Sequence, residues 1–144
     1  MRRRTYKEID PEFKPRLDLA FKALRRKGLI TRQNFLCCQN CAGYALTEMA
    51  VKLVEQGKPF NGTVFYHAQD NANRKDGEDF YLAFGDVNST QKGRLGLDSA
   101  TVGRMVVEAL AAEGLETEWN GDPDTRILVR NGVIKREPVL EFAI

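Results

Sequence analysis

Long apolar runs, histidine and cysteine are all scarce in this sequence of 144 residues. No apolar stretch approaches the ~20 residues that a membrane-spanning helix needs, so a membrane protein is not expected. Three cysteines are too few to indicate a small scaffold held by disulfides. No apolar segment follows the N-terminal arginines, so we expect no secretory signal and a soluble, cytoplasmic protein.

The remaining composition is that of an ordinary globular domain, 42% hydrophobic and 29% charged. Residues 1–32 carry 11 basic and 4 acidic residues, a local charge of +7, whereas residues 33–144 sum to −5. We interpret residues 1–9 as a basic flexible tail and residues 10–144 as one domain. A basic segment can attract an acidic partner or nucleic acid. Since no recognition helix or basic strip with interleaved aromatic residues is visible, nucleic acid is not an expected partner.

Three segments have the apolar spacing of amphipathic helices. The first begins near residue 10 and ends at Gly28, the second covers residues 42–56, and the third begins at Asp98 or Ser99. Glycines stop each of them.

Alternating apolar residues predict strands in four further segments, 63–67, 80–84, 115–119 and 127–129. The Asn131-Gly132 turn favours one more strand at 133–136. The order α-α-β-β-α-β-β predicts an α+β fold, with an antiparallel sheet of four to five strands and helices on one face. Residues 31–41, 69–78 and 86–97 are interpreted as loops. The pair Gly93-x-x-Gly96 lacks a phosphate-binding continuation, so we expect no nucleotide cofactor.

All three cysteines lie within five residues, as Cys37, Cys38 and Cys41. The spacing of the last two suits metal binding, dithiol exchange or a thiol activated at a helix N-terminus. The alternative is that these thiols pack as small buried hydrophobic groups. Thioredoxin-like proteins place this spacing after a strand, and no such strand is predicted here, so that function is not expected.

The fourth ligand of a tetrahedral zinc site would be His67, the only histidine in the chain. It ends the first predicted strand, and Asp70 follows at the mouth of a loop, where site residues are common. Zinc held by the three cysteines and His67 is therefore the expected site, although adjacent cysteines seldom face one ion. Two cysteines with His67 and Asp70 form a second set that leaves a position open for water. The alternative is that His67 is an interior histidine with its partners satisfied.

The short connection at 57–62 predicts that the first strand returns antiparallel to the second helix. A helix of about 14 residues spans ~21 Å, and a strand of about 5–6 residues spans ~17–20 Å. Because these lengths match, we expect His67 and Asp70 to lie within about 10 Å of Cys38 or Cys41, as a shared metal ion requires.

The chain resembles a family of small uncharacterised bacterial domains of unknown function over about residues 17–130. The resemblance is carried by Phe35-x-Cys37-Cys38-x-x-Cys41, His67-x-Gln69-Asp70, Gly85, Val102 to Leu110, Gly114 and Trp119-Asn120-Gly121. It implies that the cysteine and histidine motifs form one site, and it implies no activity.

Three functions follow as hypotheses. The leading one is a transition-metal site, with zinc as the expected ion, built from the cysteine cluster and His67. The second is a thiol-dependent enzyme that uses Cys38 or Cys41 with His67, and Asp70 as a further candidate catalytic residue. The third is a protein-interaction or regulatory module that uses its sheet edge or its basic first helix. Whether the protein is an enzyme stays open at this point.

Overall fold

The computed structural model describes residues 5–8, 11–36, 39–131 and 133–136. Its helices are α1 (Phe13–Arg26), α2 (Gln39–Glu55), α3 (Ala68–Lys75) and α4 (Ser99–Ala112). Its strands are β1 (Thr5–Glu8), β2 (Leu29–Arg32), β3 (Gly62–Phe65), β4 (Phe80–Gly85), β5 (Val87–Ser89), β6 (Gly93–Leu95), β7 (Thr117–Glu118), β8 (Ile127–Val129) and β9 (Val133–Arg136). None of the described helices is long and apolar enough to cross a bilayer.

The core of the fold is a five-stranded sheet in the order β2-β3-β4-β8-β7. The pairs β3–β4, β4–β8 and β7–β8 are antiparallel, as predicted for the main sheet. The pair β2–β3 is parallel, and α2 is the connection between them. Parallel neighbours need a crossover of this kind, because a tight turn can join only antiparallel strands. The α+β class is thus confirmed, although the order of elements differs from the predicted one.

Helices cover both faces of this sheet, so the prediction of helices on one face was wrong. Val64 and Tyr66 pack in one buried cluster with α1 and α4, whereas Phe65 packs in a second cluster with α2. Successive side chains of a strand point to opposite faces. All four residues of β3 are buried, as expected for a strand that is covered on both sides.

Three segments predicted as loops contain regular structure. The edge strand β2 (Leu29–Arg32) ends inside the segment 31–41 and α2 begins there at Gln39, α3 covers most of 69–78, and the β5–β6 hairpin lies within 86–97. Strands of three or four residues and a two-turn helix leave little length for a periodic pattern. The prediction for the helix at Ser99 was correct, since the Asp98 side chain accepts a hydrogen bond from the Thr101 amide.

The two ends of the chain contribute paired strands. Thr5–Glu8, within the predicted tail, is antiparallel to Val133–Arg136. The strand predicted at 133–136 is present, but its partner is β1 and not the preceding strand β8, the partner that a hairpin at Asn131-Gly132 would require. Residues 1–4, 9–10 and 137–144 lie outside the described residues. The domain boundary at residue 10 stays a prediction.

Helix α4 approaches the sheet closely at Gly103. A Cβ at this position would lie 2.6 Å from Cη2 of Trp119 and 2.8 Å from Cε2 of Phe84. The Trp119 ring is held in place, because its Nε1 donates to the carbonyl oxygens of Asp122 and Thr125. The two rings pack edge to face, with centroids 5.3 Å apart. Glycine therefore allows the helix to approach this aromatic pair.

We expect Gly103→Ala to lower the free energy of unfolding by about 1–2 kcal/mol, because the strain of overpacking exceeds the ~1 kcal/mol gain in helix propensity. Gly43→Ala in α2 is the matched control, since a Cβ there meets nothing within 4 Å. It should be neutral or stabilise by up to about 1 kcal/mol. Urea denaturation of both variants gives the comparison. A stabilising effect of Gly103→Ala would contradict the close approach.

Candidate functional site

His67 lies where β3 passes into α3. It occupies the N-cap position of that helix, and its side chain makes no capping hydrogen bond. Its backbone is extended, and its carbonyl accepts the first helical hydrogen bond from the Asn71 amide at 2.9 Å. The His67 side chain is 12% exposed. The predicted strand thus ends two residues earlier than expected, at Phe65. The helix then places Asp70 one turn from His67.

Asp70 forms a buried ion pair with Arg126. The Arg126 guanidinium lies 2.5 Å from Oδ2 of Asp70, and the side chains are 32% and 7% exposed respectively. The same guanidinium nitrogen donates to the carbonyl oxygen of Tyr81 at 3.0 Å. The guanidinium carbon also lies 5.3 Å from the centroid of the Tyr81 ring, within the range of a cation–π contact. The contacts with Tyr81 fix the position of the Arg126 guanidinium, and the ion pair with Arg126 fixes the position of the Asp70 carboxylate.

The two nitrogens of the His67 ring have different surroundings. Nε2 lies 3.3 Å from Oδ2 of Asp70. Nδ1 is buried and has no hydrogen-bond partner in the part of the chain that the structure describes. A carboxylate beside Nε2 favours the tautomer with its hydrogen on that nitrogen, and this leaves a lone pair on Nδ1. Nε of Arg126 is likewise buried without a partner among the described residues. A buried polar atom without a partner is uncommon and calls for an explanation such as a bound ion, an ordered water molecule or a catalytic role.

The cysteine motif is only partly described. Cys37 and Cys38 lie outside the described residues, and Cys41 is exposed on the first turns of α2. Among the described residues, no group of three or more histidine, cysteine, aspartate or glutamate side chains could hold a metal ion. The predicted zinc set of the three cysteines and His67 therefore stays a prediction, as does its distance criterion.

The chain that leads to the cysteines runs beside His67. The Phe35 amide donates to the carbonyl of Tyr66 at 2.9 Å, and the Ala68 amide donates to the carbonyl of Leu36 at 3.0 Å. Asn34 and Leu36 have positive φ angles of 51° and 59°. Such angles are uncommon for residues other than glycine, and they mark a locally constrained backbone. This constrained segment ends directly before Cys37.

A second polar network lies next to the first. The Tyr66 hydroxyl donates to Oε1 of Gln33 at 2.6 Å, and Nε2 of Gln33 donates to Oδ1 of Asp18 at 2.7 Å. Burial raises the pKa of Asp18, but the hydrogen bonds from Lys14 and Gln33 outweigh that effect and leave it below its ordinary value. The network links α1 to the residue before His67, so it supports the backbone at the site.

Burial raises the pKa of Tyr66 to about 12, although nearby Arg74 opposes the shift. An unfolded tyrosine ionises near pH ~10, so this contribution to stability is complete below that pH and is lost as the pH rises towards about 12. We expect the free energy of unfolding to fall less over this range in Tyr66→Phe than in the wild type. Denaturant titrations at a series of pH values measure the difference. The exposed Tyr44→Phe serves as control and should retain the wild-type profile; parallel profiles for Tyr66→Phe and the wild type would contradict the assignment.

Sequence reasoning identified His67 and Asp70 but missed Arg126, Tyr81 and Gln33. Arg126 precedes the short strand β8 and is 56 positions from Asp70 in the chain. No local pattern marks a lone arginine as the partner of a distant carboxylate. Buried carboxylates are almost always paired, but the burial of Asp70 is itself visible only in the structure, so the sequence carried no signal for this pair.

Comparison with known proteins identifies the family of the chain. The model of one domain family matches residues 9–136, a range that includes the 17–130 region in which the sequence resembles uncharacterised domains. No curated protein and no solved structure shows a match. Because the family model covers most of the chain, the protein belongs to the family described as Domain of unknown function (DUF6891).

Proposed function

We propose that this protein binds one transition-metal ion, zinc, through Nδ1 of His67 and thiolates of the cysteine cluster Cys37, Cys38 and Cys41. The observation that carries the proposal is the buried Nδ1, which has no partner in the described part of the chain. Neutral imidazole and thiolate are the ligands that zinc prefers in proteins. A histidine with an available lone pair, next to the Leu36 backbone that leads into the cluster, supports a shared site.

Asp70 has the position of an orienting group behind the metal ligand. Histidines that bind metals nearly always direct their second nitrogen at a carboxylate, a backbone carbonyl or water, which fixes the ring and its tautomer. Oδ2 of Asp70 lies 3.3 Å from Nε2 of His67 and is itself paired with Arg126. Since His67 and Arg126 both engage this carboxylate, Asp70 orients the His67 ring and is not itself a metal ligand. The four ligands are then three thiolates and His67, or two thiolates, His67 and a water molecule.

The backbone before the cysteines supports a common site. Leu36 accepts a hydrogen bond from the amide of Ala68, which directly follows His67. Cys37 directly follows Leu36 in the chain, and consecutive Cα atoms are about 3.8 Å apart. The cysteine motif therefore begins close to this anchored point. Such a site would join α2 to the β3–α3 junction.

Metal analysis tests the proposal directly. Protein expressed without an affinity tag and dialysed without chelator should contain about one zinc per chain. His67→Ala and Cys38→Ser should each lose most of the metal, whereas Asn73→Ala on the exposed surface of α3 should retain it. Chelation should lower the melting temperature, because metal binding to the folded state is linked to folding. Protein without metal, whose melting is unchanged by chelator and by added zinc, would exclude the site.

The unpartnered Nδ1 of His67 also favours a second candidate function, that of a thiol-dependent enzyme. Nδ1 of His67 could take the proton of Cys38 or Cys41 and leave a nucleophilic thiolate, with Asp70 orienting the ring. Iodoacetamide distinguishes the two functions. An activated thiol should be alkylated at neutral pH about tenfold or more faster than in the His67→Ala variant. A metal site should instead be alkylated slowly until chelator releases the thiols.

A further inference from the structure

A groove runs along β2, which is the edge of the central sheet among the described strands. Strand β2 is the terminal strand of the sheet, and all of its residues line the groove together with side chains of α1 and α2. This part of the groove has a volume of about 420 Å³. A second depression of about 420 Å³ continues from it, since both share Arg25, Gly28, Leu53 and Pro59. The two depressions therefore form one continuous groove beside β2.

The groove is strongly basic. Its cations come from four separate segments, and the complement to the dipole at the end of α1 accounts for only the first of them. Among the described residues that line it, none is acidic. The lining cations are Arg25, Arg26, Lys27, Arg32, Lys52 and Lys58.

The floor of the groove suits an extended peptide. Met49 and Leu53 provide partly exposed apolar surface between the cations, whereas Leu29 and Ile30 lie beneath it and are only 3% and 7% exposed. An exposed strand edge pairs readily with the backbone of another extended segment. The four residues of β2 span about 13 Å, enough for four residues of a partner strand. Among the described lining residues there is no aromatic ring, and sites for single-stranded nucleic acid usually stack bases on such rings.

Two cations of the groove, Arg25 and Arg32, contact residues of β2 directly. The Arg32 guanidinium donates to the carbonyl oxygen of Thr31 at 2.8 Å and contacts the sulfur of Met49 at 3.5 Å. Arg25 donates to the hydroxyl of Thr31 at 3.2 Å. These two cations therefore lie directly along β2, where carboxylates of a docked strand would meet them.

We propose that this groove binds an acidic, extended segment of a partner protein, which adds to the sheet as a strand beside β2. Main-chain hydrogen bonds to β2 supply affinity, and acidic side chains of the partner pair with the cations of the groove. The proposal is independent of the zinc site, because it uses none of the proposed metal ligands.

A fluorescein-labelled peptide of about eight residues with alternating glutamate and valine is a suitable probe. We expect saturable binding to the full chain with a Kd below about 100 µM, weakening as ionic strength rises from about 0.05 to about 0.5 M. A peptide with lysine in place of glutamate should not bind. Methylation of alternate backbone amides should weaken binding about tenfold or more, because strand pairing requires these donors.

A pair of matched variants localises the binding. Arg26→Glu/Lys58→Glu reverses two exposed cations of the groove and should weaken binding about tenfold or more. Lys22→Glu/Arg104→Glu changes the net charge equally at exposed positions outside the groove and should bind as the wild type. Circular dichroism confirms that each variant is folded. Equal affinity of the two variants, no saturable binding by the acidic peptide, or unchanged binding after amide methylation would each overturn the proposal. Tighter binding by a single-stranded oligonucleotide that displaces the peptide would overturn it in favour of nucleic acid.

Discussion

Replacement of Arg126 by alanine should lower the free energy of unfolding by about 3 kcal/mol, because it leaves the carboxylate of Asp70 buried without its cation. The Asp70 side chain is only 7% exposed, so the carboxylate depends on its protein partners for compensation of its charge. Removal of one partner from a buried ion pair typically costs about 3–5 kcal/mol. The lower end applies here, since Arg126 itself is 32% exposed.

Urea denaturation followed by circular dichroism measures this effect. The matched control is Arg94→Ala, which breaks the pair with Asp86 at a position where the arginine side chain is 73% exposed. Exposed pairs contribute at most about 1 kcal/mol. If Arg126→Ala destabilises no more than Arg94→Ala does, the Asp70–Arg126 pair has no structural role at the site.

Replacement of Asp70 by asparagine should weaken zinc binding about 10- to 100-fold, which is the usual effect of removing a carboxylate behind a ligating histidine. Asparagine retains the shape of the side chain but lacks the charge that attracts Nε2–H of His67. The prediction depends on the proposed zinc site. Competition with a chromophoric chelator measures the affinity, and circular dichroism verifies that the variant is folded.

Asp76→Asn is the control for this variant, because Asp76 is exposed and caps the other end of the same helix, α3. It should bind zinc with wild-type affinity. An unchanged affinity in Asp70→Asn would show that Asp70 serves the Arg126 pair alone. His67→Ala would still lose zinc in that case, so the metal site and the orienting role of Asp70 are tested separately.

Elements with strong local signals were predictable. Helix α4 begins at Ser99 with a cap from Asp98, as the sequence indicates, and β8 has the predicted bounds of Ile127–Val129. The antiparallel pairing of β3 with β4 was also predictable, because neighbouring strands usually pair. In each of these cases, residues close in the chain carry the information.

Elements that depend on distant partners were not predictable. Strand β2 has only four residues, and it is a strand because Gly62–Phe65 pairs with it in parallel across α2. The hydrogen bonds of that ladder come from residues about 33 positions away in the chain. The same limitation applies to β9, whose partner β1 lies at the other end of the chain. A local pattern cannot specify such pairings, and it also cannot determine which face of the sheet a helix covers.

For the candidate site, the sequence alone determined the residue types that carry the chemistry. The chain has one histidine, His67, and all three of its cysteines lie within positions 37–41. Local sequence could not determine which groups surround them. The tertiary structure decided that Asp70 is buried, that Arg126 pairs with it, and that Nδ1 of His67 has no partner among the described residues. The reason is physical: burial and the satisfaction of polar atoms depend on the packing of α3 against β4 and on Arg126, which precedes β8 and reaches Asp70 from 56 positions away in the chain.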